Sequence, residues 1–334
     1  SEADQAADLA VIATPISTVP GIVRECVEAG VSGAVIISAG GKETGKKGED
    51  LEQEIGHEAK KGGLRIIGPN CMGFIRPDRN LNASFTAHMP PKGKTAFISQ
   101  SGAICSAMLD LSLKENMGFR YFISIGSMLD VDFGDLIDYL GNDSQVTSIL
   151  LYIESLTEIK KFMSAAREVS RVKPIVVLKA GRSEAGARAA ASHTGALAGE
   201  DQVYEAAFRR AGLARVLTLE DFFDCAELLA KQSPPSGRHL VVVTNAGGPG
   251  VMAADALTEY GLKLSPLSDD TLSALNDTLP PHWSHGNPID ILGDATPERY
   301  ARVTEVCFEA EDIDGMLLIV NPQAMTDPAD VARA

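Results

Sequence analysis

The sequence predicts an α/β fold built from parallel sheets with helices on both faces. Three observations lead there. Short apolar runs alternate with amphipathic stretches along the chain, the signature of right-handed βαβ units. Several of those runs end in turns of glycine and other small residues. The composition, 45% hydrophobic with 31 glycines and 17 prolines in 334 residues, is that of an ordinary globular α/β chain.

Taken in order, the runs at 9–13, 34–38 and 64–67 read as strands, with helical patterns at 19–29 and 50–61 between them. Pro90-Pro91-Lys92-Gly93 reads as a linker. Beyond it, strands are expected at 95–99, 121–125, 148–153 and 175–179, and helices at 104–116, 159–171, 201–211 and 219–231. Ser233-Pro234-Pro235-Ser236-Gly237 reads as a second linker. Strands at 240–244 and 316–320 and helices at 251–260 and 297–309 follow. A chain of this length exceeds what one hydrophobic core usually serves. Domains are therefore expected at about 1–90, 93–232 and 238–334. The first opens directly on a strand with no glycine-rich βα turn ahead of it, so it reads as part of a dinucleotide-type fold. The last ends abruptly, and the chain reads as an excerpt of something longer.

The formal net charge of −15 disfavours nucleic acid and anionic membranes as partners. An anionic ligand would need a local positive potential, which helix N-termini supply. No apolar run reaches the roughly 18 residues of a membrane helix, and no signal-peptide pattern opens the chain. Cys26, Cys71, Cys105, Cys225 and Cys307 are scattered and form no C-x-x-C pair. That usage suits a reducing cytoplasm and gives neither a disulfide framework nor a zinc site.

The run Gly40-Gly41-Lys42-Glu43-Thr44-Gly45-Lys46-Lys47 fits G-x4-G-K. It fails as a nucleoside-triphosphate loop because Lys47 stands where Ser or Thr must hold magnesium. It reads as a solvated loop, with the alternative of touching cofactor phosphates from the carboxyl end of a strand. Gly68-Pro69-Asn70-Cys71-Met72-Gly73 is either a tight turn with a half-buried thiol or a turn set against the reactive end of a ligand. Ser99-Gln100-Ser101-Gly102-Ala103 and Asn245-Ala246-Gly247-Gly248-Pro249-Gly250 each join a strand to a helix. Small residues let a ligand approach the free N–H groups there. Two such turns in separate domains suggest two dipoles directed at one anion.

Ser192-His193-Thr194-Gly195-Ala196-Leu197-Ala198-Gly199 follows a small, polar, Gly/Ala-rich stretch with no helical stripe. His193 is therefore expected on a mobile loop, accessible as a phosphoryl acceptor if a carboxylate holds its other nitrogen. Glu154, ending an apolar strand, is a candidate for that carboxylate; the alternative is a solvent-facing strand end. His57, His88 and His239 lie among charges or beside linkers. His282 and His285 flank Trp283 without a metal-ligand pattern, and no metal site is expected.

In this order, these residues resemble the succinyl-CoA synthetase superfamily, and most of all the ADP-forming acetate–CoA ligases. They are also similar to the synthetase-like half of fused bacterial protein lysine acetyltransferases. The resemblance implies a Rossmann-like CoA-binding domain followed by two flavodoxin-like domains. It implies that His193 carries a phosphoryl group, that Glu154 orients it, and that the helix starts at Ser99, Gln100, Ser101 and Gly102 and at Ala246, Gly247, Gly248, Pro249 and Gly250 stabilise phosphate. Asn70 and Cys71 would lie by the CoA thiol, with Thr14, Pro15, Ser38, Ala39 and Gly40 along the CoA cleft. Asn287-Pro288-Ile289-Asp290 and Asn321-Pro322-Gln323 resemble turns near the acyl and phosphate site. The implied reaction is acyl-CoA + phosphate + ADP ⇌ acid + CoA + ATP on a small carboxylic acid. CoA, phosphate and Mg-ADP would be the ligands, with the nucleotide bound by an ATP-grasp subunit or domain in an oligomer. Two other readings stay open: the CoA-binding regulatory half of an acetyltransferase, and a plain CoA-binding protein.

Overall fold

The computed structural model describes residues 7–194, 200–235 and 237–334, with 190–194 described in backbone alone. The chain divides into two compact units, Ser1–Ser233 and Pro234–Ala334.

The first unit opens with β1 (Leu9–Ile12), α1 (Val19–Glu28), β2 (Gly33–Ile36), α2 (Lys46–Gly62) and β3 (Arg65–Ile67). The strands form a parallel sheet in the order β1-β2-β3. Ile12, Val23, Ile36, Ile55 and Ile66 bury together where α1 and α2 cover it. Next come β4 (Gly73–Arg76) and β5 (Leu81–Ser84), a hairpin absent from the expected elements. It lies within the stretch assigned to the first domain, yet β4 pairs antiparallel with a strand of the next sheet.

That second sheet is built from β6 (Lys92–Ser99), α3 (Gly102–Lys114), β7 (Phe119–Ser124), α4 (Phe133–Gly141), β8 (Ser148–Ile153), α5 (Ile159–Val169), β9 (Ile175–Lys179), α6 (Glu184–Thr194), α7 (Asp201–Ala211), β10 (Ala214–Val216) and α8 (Leu219–Lys231). Its strand order is β10-β9-β8-β6-β7-β4-β5, with β6 to β10 parallel. Successive residues of β6 feed opposite cores. Ile98 joins Phe133, Ile137 and Phe162 on one face, while Phe97 joins Phe119, Phe122 and Phe222 on the other. The apolar stretch Ala96-Phe97-Ile98, buried on both faces, is what makes β6 evident in the sequence, while its first residues Lys92, Gly93 and Lys94 are not apolar. The parallel part has flavodoxin order, and the chain reverses direction across the sheet between β6 and β8. Ligands of open α/β sheets bind at such a switch point, beyond the carboxyl ends of the strands.

One expectation is corrected here. His193 lies in the last turn of α6, not on a loop. The stretch has no apolar stripe, but Ala185, Ala187, Ala189, Ala190 and Ala191 are the strongest intrinsic helix formers. Gly195-Ala196-Leu197-Ala198-Gly199 lies outside the described residues.

The second unit contains β11 (Leu240–Thr244), α9 (Gly247–Glu259), α10 (Asp269–Thr278), β12 (Ile289–Asp290), α11 (Pro297–Glu309), β13 (Gly315–Ile319) and α12 (Pro328–Arg333). Its parallel sheet has the order β12-β11-β13, around a core of Val241, Val243, Trp283, Ile289 and Tyr300. Among the described residues, no helix is long and apolar enough to cross a membrane.

Candidate functional site

In the first unit, the turns after successive parallel strands abut one another. Ser38, beyond β2, donates its hydroxyl to the carbonyl of Thr14, beyond β1. Asn70, beyond β3, donates its N–H to the Ser38 carbonyl at 3.0 Å. Two glycines make this possible. Gly68 has φ +102 and a Cβ there would meet the Ile36 carbonyl oxygen at 2.4 Å; Gly126 has φ +60 and a Cβ would meet the Pro69 oxygen at 2.2 Å. Only glycine tolerates both the left-handed backbone and the close approach. The Gly126 turn, beyond β7, is tied to the Gly68 turn by Ser127 N–H donating to Pro69 at 2.8 Å and Leu129 N–H donating to Gly68 at 3.0 Å. The strand ends of both sheets in this unit thus share one edge.

That edge holds a cleft lined by Lys42, Glu43, Asn70, Gln100, Gly126, Ser127, Glu154 and Ser155. Of the expected site residues, the cleft gathers Asn70, Gln100 and Glu154. Thr14, Ser38 and Cys71 stand beside it in the turn network without lining it. Gln100 organises the switch point. Its Oε1 accepts from the N–H groups of Glu154 at 2.5 Å and Ser155 at 2.9 Å, and its own N–H donates to Tyr152 at 3.2 Å. The side chain after β6 therefore fixes the backbone after β8, where half-buried Glu154 sits.

Lys42, Glu43, Gly126, Ser127 and Ser155 are cleft residues that sequence reasoning did not single out as a set. Their common signal is a position just past a parallel strand. Lys42 belongs to the run rejected as a phosphate loop, where a short 3-10 turn aims its Nζ at the Ser127 carbonyl, 2.6 Å away. Its N–H donates to Glu52 at 2.9 Å, and burial raises the Glu52 carboxyl above the usual carboxylate range. Lys179, in register with Ile153 on the neighbouring strand, is 4% exposed and lies 4.5 Å over the Tyr204 ring. Burial holds its ammonium below the ordinary lysine range, against the pull of Asp201 and Glu154. Cys71 is buried, its Sγ 3.3 Å from the Ile36 carbonyl, and burial pushes its thiol up to about 12.

The two small-residue turns are built alike. Ser99 Oγ accepts from the Ser101 N–H at 3.0 Å and donates to the Ser101 carbonyl at 2.9 Å. Thr244 Oγ1 does the same with Ala246, at 3.1 and 2.9 Å. As Gln100 does in its sheet, Asn245 reaches across to the strand beyond. It accepts from Asn321 N–H at 2.8 Å and donates to the Asn321 carbonyl at 2.9 Å. α3 has a Ser101 side-chain cap on Ile104 N–H, whereas α9 starts at Ala246 with no side-chain cap. The first N–H groups of α9 are thus left to a ligand or water. Gly250 is buried there, where a Cβ would meet Thr244 at 3.0 Å and Pro288 at 3.3 Å. Asn287 bonds to Val242, Leu240 and Ser265, a structural role inside the second unit. Both ring nitrogens of His285 are engaged, with Asn276 and Pro281.

Comparison with known proteins agrees with this architecture. Residues 1–77 match a CoA binding domain, 92–229 a succinyl-CoA ligase like flavodoxin domain, and 240–334 a Ligase-CoA domain. The acetate–CoA ligase [ADP-forming] I of Archaeoglobus fulgidus is 43% identical over 96% of this chain and 46% of its own length. The alpha subunit of acetate–CoA ligase [ADP-forming] II of Pyrococcus furiosus is 43% identical over 93% of this chain and 68% of its own. The chain spans about half the length of the Archaeoglobus fulgidus relative, and 41% of the acetate–CoA ligase [ADP-forming] of Methanocaldococcus jannaschii. A dinucleotide forming acetyl-coenzyme A synthetase 1 of Ca. Korarchaeum cryptofilum, solved with phosphate and ADP, superposes with a TM-score of 0.94. It is 37% identical, over 99% of this chain and 72% of that one. The strand order, the two similarly built small-residue turns and these likenesses together place the chain in the ADP-forming acetate–CoA ligase family of the succinyl-CoA synthetase superfamily.

Proposed function

We propose that the chain supplies the acyl-CoA and phosphohistidine portion of an ADP-forming acyl-CoA synthetase, catalysing acyl-CoA + phosphate + ADP ⇌ acid + CoA + ATP on a small carboxylic acid. The observation that carries the reading is the cleft at the β6/β8 switch point. There Gln100 fixes the backbone of Glu154, and Asn70 lines the same cleft. In this reading Thr14, Pro15, Ser38, Ala39 and Gly40 line the CoA path, and Asn70 and Cys71 border its thiol end. Phosphate attacks the thioester carbonyl, CoA leaves as its thiol, and an acyl phosphate forms. His193 takes the phosphoryl group and releases the acid, with Glu154 holding the imidazole in its attacking tautomer. The N–H groups at Ser99–Gly102 and those at Ala246–Gly250 serve as anion sites, each in its own unit. The uncapped start of α9 fits that use. Mg-ADP would be brought by an ATP-grasp subunit or domain.

Labelled acetyl phosphate tests the reading. The label should be acid-labile, as a phosphoramidate is, and absent from His193→Ala. Glu154→Gln should slow labelling roughly ten- to a hundredfold, the loss of one charge-assisted hydrogen bond of about 1.5–3 kcal/mol. Equal labelling of His193→Ala and wild type refutes the assignment.

A further inference from the structure

The cleft contains a second carboxylate to which the reaction above gives no task. Glu43 accepts the Gly40 N–H through Oε1 at 2.7 Å. Its Oε2 is enclosed and has no hydrogen-bond partner among the described residues. Burying a carboxylate oxygen unsatisfied is costly, and such an atom calls for a donor from a ligand, an ion or a water. The neighbouring cation does not satisfy it, because Lys42 directs its Nζ at the Ser127 carbonyl. Glu43 lines the same cleft as Asn70.

We infer that Glu43 is the proton acceptor for the thiol of coenzyme A, an inference that rests on the function proposed above. In the direction of thioester synthesis, Glu43 takes the thiol proton as sulfur bonds to the acyl carbon of the acyl phosphate. The carbon–oxygen bond to phosphate breaks, and phosphate leaves with the electron pair. Protonated Glu43 then passes the proton to the departing phosphate, so that thiol and acyl phosphate become thioester and hydrogen phosphate with no net change at the carboxyl. In the opposite direction the same carboxyl protonates the leaving thiolate. The other cleft groups do not fill this role: Asn70 and Gln100 are amides, Lys42 is a cation committed to Ser127, and Glu154 serves His193. Cys71, which borders the cleft, carries a buried thiol and not a base.

The step is separable from phosphohistidine chemistry, which involves no thiol. In the full chain, acetyl-CoA formation from acetyl phosphate and CoA is measured beside labelling of His193 by acetyl phosphate. Glu43→Gln keeps an acceptor for Gly40 N–H and removes the base. It should lower thioester formation about a hundredfold, the usual worth of a general base, and leave labelling unchanged. Glu43→Ala should show the same split and regain thioester formation when formate is added. Unchanged thioester formation in both variants, or an equal fall in both reactions that formate does not reverse, overturns the inference. A wild-type chain that neither labels nor forms thioester defeats the underlying reading, and the inference with it. Labelling in wild type with a normal thioester step in Glu43→Gln defeats the inference alone.

Discussion

At the scale of single residues, burial separates groups that sequence places side by side. Asn70 and Cys71 are neighbours in one turn, yet Asn70 lines the cleft and Cys71 is buried, its Sγ against the Ile36 carbonyl. Burial pushes the Cys71 thiol up to about 12, so it presents little of the reactive thiolate near neutral pH. Iodoacetamide should therefore spare Cys71 in the folded chain and modify it once the chain is unfolded. Peptide mapping after alkylation reads the outcome, and native-state labelling at the rate of a free thiol would show the burial argument to be wrong. Of the two readings open for this turn, burial of Cys71 fits the tight turn with a buried thiol, and the proposed ligand-facing role rests on Asn70 at the cleft. The sequence shows the turn but not which of its side chains points inward, since both are small and semi-polar.

At the scale of elements, most parallel strands were legible, the edge strands β1, β3 and β13 included, while the short β4, β5, β10 and β12 were not. β8 and β9 are nearly continuous apolar runs, and their expected bounds match those observed. β4 and β5 escaped notice because Arg76, Asn82 and Ser84 interrupt short segments near the sheet edge. α4 and α10 were also missed, although each has a side-chain cap at its start, Asp132 and Ser268. Just past β4, an ion cluster ties the hairpin down. Arg76 grips Asp78 through two hydrogen bonds of 3.1 and 2.8 Å, and Arg120 of β7 reaches the same carboxylate at 3.3 Å. The Arg76 hydrogen bond holds the Asp78 carboxyl below the usual carboxylate range. A depressed folded-state value means the stabilisation is complete above the unfolded value of about 3.9. It is lost as pH falls through the folded value. Asp78→Asn should cost about 1–3 kcal/mol at neutral pH. The gap to wild type should close as acid protonates Asp78. Urea unfolding at a series of pH values checks this; a gap that stays constant into strong acid would remove Asp78 from the cause.

At the scale of the whole molecule, the legible part was the class of fold and the repeated use of strand-to-helix turns. The hairpin's attachment to the second sheet was not legible, because nothing local in residues 73–84 encodes which distant strand they will pair with. The same holds for Lys42 and Glu43, whose place in the cleft depends on the Gly126 turn 80-odd residues away, a separation no local rule spans. The proposed division of labour predicts that the chain, once phosphorylated, passes its phosphoryl group to ADP only when an ATP-grasp portion is supplied, in cis or as a subunit. Luciferase detection of ATP, with and without that portion, decides the matter; sustained ATP synthesis without it would overturn the division. The pairing of β4 with β7 also has a consequence in time. During synthesis the hairpin leaves the ribosome before its partner exists, and about 40 residues separate Ser84 from the end of β7. At roughly 5–20 residues per second, it waits on the order of several seconds with one edge unpaired. For that interval the nascent chain offers a bare strand edge to any neighbour, and the ribosome-bound stage is where misassembly and chaperone capture should concentrate.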